Sequence, residues 1–305
     1  MSTFARSDSG APSLVTLLEA HKIAPKRSLG QAFLSDQGMI DAIVKDLLSF
    51  STDCFIEIGT GPGLLTYDLA QHASAVVSIE IDKRFLPLHN DLFSDLKMPP
   101  LILYEDARDV DEKRISDLLY RDNIESANYT MPPYVLFGNL PYYLTTELIM
   151  SSLTHFPQMH RAFFMIQQDV TDRLTASPRS KRYGPLAIAS QLFGHWKIRR
   201  TVSRQSFYPV PRVTSKLVEL IPHDDFEARQ LAGNPAFHTF LVALFQSRRK
   251  TICNALSAAL KTTEREAHLN RALSLFLEHN NLSSSVRAES LNPSHLAELF
   301  QLLQP

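Results

Sequence analysis

Five short apolar runs, most of them followed by a stretch with helical spacing, restrict this chain to one class of architecture. CFIEIG precedes GLLTYDLAQH, AVVSIEID precedes KRFLPLHNDLF, and LILYEDARD leads into a turn. YVLFG precedes TTELIMSSLTHF, and RAFFMIQ precedes QDVTDRLTA. Short strands alternating with helices predict an α/β fold, with a mostly parallel sheet covered on both faces. Ahead of the first strand, Met39, Ile40, Ile43, Val44, Leu47 and Leu48 recur at helical spacing and predict a helix. A short amphipathic helix is expected over 13–22, after a Ser-, Gly-, Ala- and Pro-containing start. From about residue 223 the style changes. HTFLVALFQSRRKTICNALSAAL, EREAHLNRALSLFLEHN and NPSHLAELFQLL hold helical spacing with no convincing strand, which predicts three or four helices. The expected organisation is a flexible segment 1–22, an α/β domain 23–222 and a helical domain 223–305.

With 305 residues and 44% hydrophobic composition, the chain can bury a core in two domains. Its net charge of -1 excludes a uniformly basic, histone-like protein. A local basic face remains open, because partners respond to the distribution of charge as well as its sum. Cys54 and Cys253 lie far apart and are expected to be reduced packing residues in a cytoplasmic protein. No apolar run reaches the length of a membrane span, and the start of the sequence has no signal-peptide pattern.

The strand ends carry the chemistry. IEIGTGPGLLT places Gly59, Gly61 and Gly63 directly after a strand and before a helix, where the backbone can approach a cofactor closely. Thr60 and Pro62 depart from the dinucleotide spacing G-x-G-x-x-G, and Glu57 suits a pyrophosphate poorly. Glu80, about 20 residues past the loop, is placed to accept the ribose hydroxyls of an adenosine. Asp106 ends the third strand and is placed to accept from an adenine amine. The three features form an adenosyl site without phosphate-binding equipment, which fits S-adenosyl-L-methionine better than NAD.

The fourth strand ends in FGNLPYY. The Asn139 amide oxygen and the Leu140 carbonyl can accept from an adenine N6 amine. Tyr142 offers a flat face for an unstacked base, and Tyr143 reads as packing or as a second wall. None of the eleven histidines joins a catalytic or metal pattern, so no metal is expected.

At these residues the chain resembles the ribosomal RNA adenine dimethylase family, in its bacterial small-subunit branch. The resemblance runs over about 22–300 through KRSLGQAFLSD, EIGTGPGLLT, IEID, ED at 105–106, NLPYY, MIQQDVTDRL, RYGPLAIASQ, SFYPVPRVTSKLVEL and LFQSRRKTICNAL. It implies a Rossmann-like class I S-adenosyl-L-methionine-dependent methyltransferase domain with a seven-stranded sheet, followed by a small helical domain that recognises substrate. It implies N6,N6-dimethylation of two adjacent adenosines in the 3'-terminal hairpin loop of small-subunit (16S) rRNA. The partners would be a small ribosomal subunit precursor and its rRNA, with the enzyme a monomer. Cofactor contacts fall by the family pattern on Ala32, Leu34, Gly59, Glu80, Asp106 and Asn139. Phe207 would be the aromatic wall opposite Tyr142. Where the family usually has Asn or His after LGQ, this chain has Ala32, which leaves only a backbone contact there.

Between Arg161 and Leu220 eleven Lys or Arg stand against three acidic residues, and SRRK at 247–250 adds a further cluster. These residues are expected to contact RNA phosphates. Two alternatives are a large-subunit (23S) rRNA adenine methyltransferase, disfavoured by YPVPRVTSK and SRRKTICNAL, and a mainly non-catalytic assembly factor.

Overall fold

A computed structural model of the chain describes residues 13–119, 131–257 and 263–304. The expected flexible start falls, over residues 1–12, outside the described residues. The elements run α1 (Leu14–Ala20), β1 (Phe33–Leu34), α2 (Gln37–Leu47), β2 (Cys54–Ile58), α3 (Leu64–Ala70), β3 (Ala75–Ile79), α4 (Leu86–Leu92), β4 (Leu101–Leu103) and α5 (Glu112–Leu119). They continue with β5 (Tyr134–Asn139), α6 (Thr145–His155), β6 (Arg161–Gln167), α7 (Gln168–Leu174), α8 (Pro185–Phe193), β7 (Gly194–Val202), β8 (Phe207–Tyr208) and β9 (Ser215–Pro222). The last are α9 (Phe226–Ala232), α10 (Pro235–Gln246), α11 (Ile252–Ser257), α12 (Thr263–His279) and α13 (Pro293–Leu302).

Seven strands form one sheet in the order β4-β3-β2-β5-β6-β9-β7. β2 pairs in parallel with β3 and with β5, β3 with β4, and β5 with β6; β9 returns antiparallel to β6. The chain winds outward from β2 to β4, then restarts on the other side at β5. Such a reversal opens a crevice at the carboxyl ends of β2 and β5, the usual ligand site of open α/β sheets. Every residue of β2 is buried, as expected of a central strand covered on both faces. Each of the five strands expected from the apolar runs is present. α5 is absent from the expected elements: Ile115, Leu118 and Leu119 hold helical spacing, but the segment is short and mostly polar, and only Ile115 of its eight residues is buried.

The contacts divide the chain into two compact units that interleave in sequence. The first comprises Met1–Ile149, Gln158–Gln168 and Lys197–Ile221; the second comprises Met150–Pro157, Asp169–Trp196 and Pro222–Pro305. The core of the first unit joins α1, α2 and α4 to the sheet through residues such as Leu17, Ile40, Phe55, Leu88, Val135 and Phe163. The second unit is helical. Phe237 and Phe300 meet edge to face at 5.2 Å, and the buried Tyr183 donates its hydroxyl hydrogen to the Leu291 carbonyl at 2.8 Å. It gathers α7 and α8 with the five C-terminal helices, which a single cut of the chain near 222 does not do.

One glycine fixes how closely β5 approaches β2. A Cβ on Gly138 would collide with the Ile58 carbonyl oxygen and stand 3.2 Å from the Leu140 side chain. Gly138→Ala must therefore spread the two strands whose ends form the crevice. The expected loss of stability is about 2 kcal/mol, the usual scale of overpacking, read as a lower urea midpoint with unchanged m-value.

Candidate active site

The crevice at the ends of β2 and β5 is a cleft of about 1130 Å³, its open mouth included. Four carboxylate residues line it, Glu57, Glu80, Glu105 and Asp106, and among the described residues no lysine, arginine or histidine does. Asp106 and Glu105 are paired with Arg108 and Arg114, yet the side chains that line the space are carboxylates, which suit a cationic ligand better than anionic phosphates. Ala32, Leu34, Gly59, Glu80, Asp106, Asn139, Leu140 and Tyr142, singled out from sequence, all border this one space.

The glycine turn after β2 adopts the left-handed conformation at Gly59, Gly61 and Gly63, with φ of 84°, 55° and 90°. Glycine takes that conformation without strain, so the turn lies close to the strand end. Glu80, at the end of β3, holds the turn. Its Oε2 accepts the Gly61 N–H at 2.7 Å and its Oε1 accepts the Asp82 N–H at 2.7 Å. Burial raises the Glu80 pKa, and these backbone donors oppose the rise. Each oxygen retains acceptor capacity for a diol.

Glu57 lies inside β2 and is buried. Thr66 and Ser78 both donate to its Oε2 at 2.6 Å. Burial nonetheless pushes its carboxyl up to about 7. Glu57, whose charge suits a pyrophosphate poorly, is part of the cleft wall.

Asp106 is held by Arg108, two residues along the chain. Arg108 donates from Nε to Oδ1 at 3.0 Å and from Nη2 to Oδ2 at 2.6 Å, and reaches Glu147 on α6 through Nη1 at 2.7 Å. Hydrogen bonds from the guanidinium hold the Asp106 carboxyl below its ordinary value. An adenine amine at Asp106 would share an oxygen that Arg108 already contacts.

The segment 29–34 closes one side of the cleft through two clamps. Gln31 donates to Asp82 Oδ2 at 2.9 Å, and the Asp82 carboxyl is lowered to about 2, chiefly by Arg84. Asn139 donates from Nδ2 to the Ala32 carbonyl at 2.9 Å. That oxygen can only accept, so the bond fixes which way the Asn139 amide faces and leaves Oδ1 as an acceptor. Ala32 thus contributes through its backbone, as its lack of a polar side chain requires.

The aromatic residues separate. Tyr142 lines the cleft, its hydroxyl 3.0 Å from Ser215 Oγ, and burial raises its pKa. Tyr143 also lines the cleft, is 57% exposed, and lies over Gly30. Phe207, expected as the wall opposite Tyr142, is 2% exposed, belongs to the core cluster and is absent from the cleft lining. β8 pairs antiparallel with β1, setting Phe207 opposite Leu34 and Tyr208 opposite Phe33. Alternation along the strand then leaves Phe207 in the core and Tyr208 41% exposed. The structure therefore does not assemble the expected pair of aromatic walls; Phe207 backs the segment that carries Leu34.

Among the described residues no helix is long and apolar enough to cross a membrane, and no group of three His, Cys, Asp or Glu is arranged to hold a metal ion.

The profile of the family described as Ribosomal RNA adenine dimethylase matches residues 23–295. The chain belongs to that family. Ribosomal RNA small subunit methyltransferase A of Lysinibacillus sphaericus is 34% identical over 294 residues, covering 95% of this chain and 94% of that protein. A dimethyladenosine transferase from Plasmodium falciparum has a similar structure, with a TM-score of 0.65 at 24% identity over 88% of this chain and 96% of that one. The 23S rRNA methyltransferase ErmE gives 0.54 at 21% identity over 89% and 99%. At those identities the two structures speak for the fold alone, the Rossmann-like class I methyltransferase sheet with a helical C-terminal part. This rRNA dimethylase uses S-adenosyl-L-methionine, and the carboxylates that line the cleft suit that cationic cofactor.

Proposed function

We infer that this dimethylase transfers methyl groups from S-adenosyl-L-methionine to the N6 atoms of two adjacent adenosines in the 3'-terminal hairpin loop of 16S rRNA, during small-subunit assembly. The observation that carries the reading is the Asn139 amide. It stands at the rim of the acidic cofactor cleft with its Nδ2 committed to Ala32 and an acceptor oxygen left over. When bound, the cofactor supplies an electrophilic methyl on a sulfonium. Adenine N6 is a weak nucleophile, since its lone pair is delocalised into the ring. The chain's task is then to position and polarise that amine. Asn139 Oδ1 and the Leu140 carbonyl accept its hydrogens, and Tyr142 supplies the face on which the flipped base lies. Glu80 holds the ribose, Asp106 the cofactor adenine, and Gly59, Ala32 and Leu34 shape the walls.

The partner is a precursor of the small subunit, bound by a monomer of this chain, with the helical residues 223–305 reading ribosomal shape. Several of the basic residues counted from sequence are occupied within their own unit: Arg200 and Arg199 pair with Asp46, Arg161 and Arg199 with Glu219, and Arg182 with Asp172. Lys197, Arg204, Arg212 and Lys216 are the better candidates for phosphate contacts in the first unit, as are Arg249 and Lys250 in the second. Incubation with labelled S-adenosyl-L-methionine and undermethylated small subunits, followed by mapping of the label, tests the assignment. Label on two adjacent adenosines near the 3' end of 16S rRNA is the expected outcome. Label confined to large-subunit rRNA would reverse it.

A further inference from the structure

Helix α4 and its flanks carry an aromatic ladder with one polar rung. Phe85, His89 and Phe93 follow at four-residue intervals. The ring centroids stack at 5.8 Å between Phe85 and His89 and at 5.4 Å between His89 and Phe93. Tyr104, at the end of β4, stacks on the same imidazole at 6.0 Å. His89 is 2% exposed, yet both ring nitrogens are engaged. Nε2 lies 2.7 Å from the Gly61 carbonyl oxygen and Nδ1 lies 2.7 Å from the Tyr104 hydroxyl.

The partners decide the tautomer. A carbonyl oxygen only accepts, so Nε2 carries the hydrogen; in the neutral ring Nδ1 then accepts from the tyrosine O–H. Burial lowers the His89 pKa to about 4, which keeps the ring neutral at physiological pH. Gly61 is held from both sides of its Cα: its carbonyl takes the His89 hydrogen, and its N–H goes to Glu80 Oε2 at 2.7 Å. Glu80, the turn and Tyr104 thus form one chain of hydrogen bonds. Tyr104 stands two residues before Asp106, so the chain spans all three strand ends read as cofactor contacts. Phe93 closes the ladder against the turn itself: a Cβ on Gly63 would stand 2.8 Å from Phe93 Cζ.

We propose that His89, which does not line the cleft, is a positioning residue for cofactor binding: with Tyr104 it holds the Gly61 carbonyl so that the glycine turn and the Glu80 carboxylate are held ready for the adenosyl group. The proposal rests on the reading of the cleft as the cofactor site. Left to itself, a turn built from three glycines samples many conformations, and ordering it would cost binding free energy. The imidazole supplies that order before the ligand arrives.

Titration calorimetry with S-adenosylhomocysteine, a neutral-sulfur analogue of the cofactor, tests the proposal on the full chain. His89→Leu keeps the apolar contact and removes both hydrogen bonds; the expected Kd rises about tenfold. His89→Gln places an amide N–H where Nε2 stood and should return the Kd to within about threefold of the wild type. Tyr104→Phe removes one hydroxyl from the far side of the ring and should raise the Kd about threefold. In steady-state assays on small subunits, KM for S-adenosyl-L-methionine should rise in parallel, with kcat at saturating cofactor and KM for the subunit unmoved. A general loss of fold would lower kcat as well. A folded His89→Leu that binds as the wild type does overturns the proposal. Should that variant not fold, Tyr104→Phe decides: an unchanged Kd overturns it and a raised Kd supports it. A wild-type chain that binds no S-adenosylhomocysteine would instead overturn the reading of the cleft.

Discussion

Asn139→Ala is expected to lose methyl transfer by about a thousandfold or more at saturating cofactor and subunit, the scale on which a preorganised polar group acts on a transition state. The amine gains positive character only as the new bond forms, so an acceptor placed for its hydrogens stabilises the transition state more than the bound substrate. The loss should therefore appear in kcat. Subunit affinity should stay near the wild-type value, since phosphate contacts elsewhere supply most of it. Cofactor affinity should weaken modestly, by about threefold, because the variant also removes the Nδ2 bond to the Ala32 carbonyl. Asn139→Asp separates the two effects. It keeps an acceptor but cannot donate to Ala32, and it faces that carbonyl with a negative charge. It should bind cofactor more weakly than the alanine variant does. Single-turnover rates on undermethylated subunits, measured beside calorimetric titrations, resolve these outcomes. Full activity in Asn139→Ala would remove Asn139 from the mechanism.

Much of this site was readable because the fold places chemistry at strand ends, and strand ends can be found from apolar runs. Glu80, Asp106 and Asn139 each follow such a run, and parallel pairing of β3, β2 and β5 brings the run ends to one edge. Phe207 shows the opposite case. SFYPVPRV contains no periodic run long enough to set which of two adjacent aromatic residues turns inward, and the two-residue pairing with β1 decides it. A register one residue different would exchange Phe207 with Tyr208. The contacts of Arg108 with Glu147 and of His89 with Gly61 were illegible for another reason: they join residues far apart in the chain, across 39 and 28 positions. In KRFLPLHNDLF the sequence shows only a polar residue on an apolar helix face. An adenosyl cleft could be inferred from the loop spacing; that four acids line it, two of them paired with Arg108 and Arg114, needed the side chains in place.

Two buried groups near the cleft should leave opposite marks on stability, and each mark is about 3 kcal/mol. The His89 pKa falls from 6.5 to about 4 through burial. As pH drops through 6.5 the unfolded chain takes up a proton that the folded chain refuses until about pH 4. His89 therefore removes stability as pH falls across that window. The Glu57 pKa rises from 4.5 to about 7, again chiefly through burial. Between those values the folded chain keeps a proton that the unfolded chain releases, so Glu57 removes stability as pH rises. Each shift of two to three units corresponds to about 3 kcal/mol over its full range. Between pH 4.5 and 6.5 the two slopes have opposite sign and nearly cancel. Single variants uncover them. Relative to the wild type, Glu57→Gln should gain stability as pH rises from 4.5 to 7, because the opposing carboxyl is gone. His89→Leu should lose stability relative to the wild type over pH 4 to 6.5, because the imidazole's upward slope is gone. Glu80, also raised by burial, adds to the Glu57 direction in both proteins and drops out of the difference. Urea unfolding at pH 4.5, 5.5, 6.5 and 7.5 measures the slopes, and variants that run parallel to the wild type at every pH would show that neither group titrates differently in the folded chain.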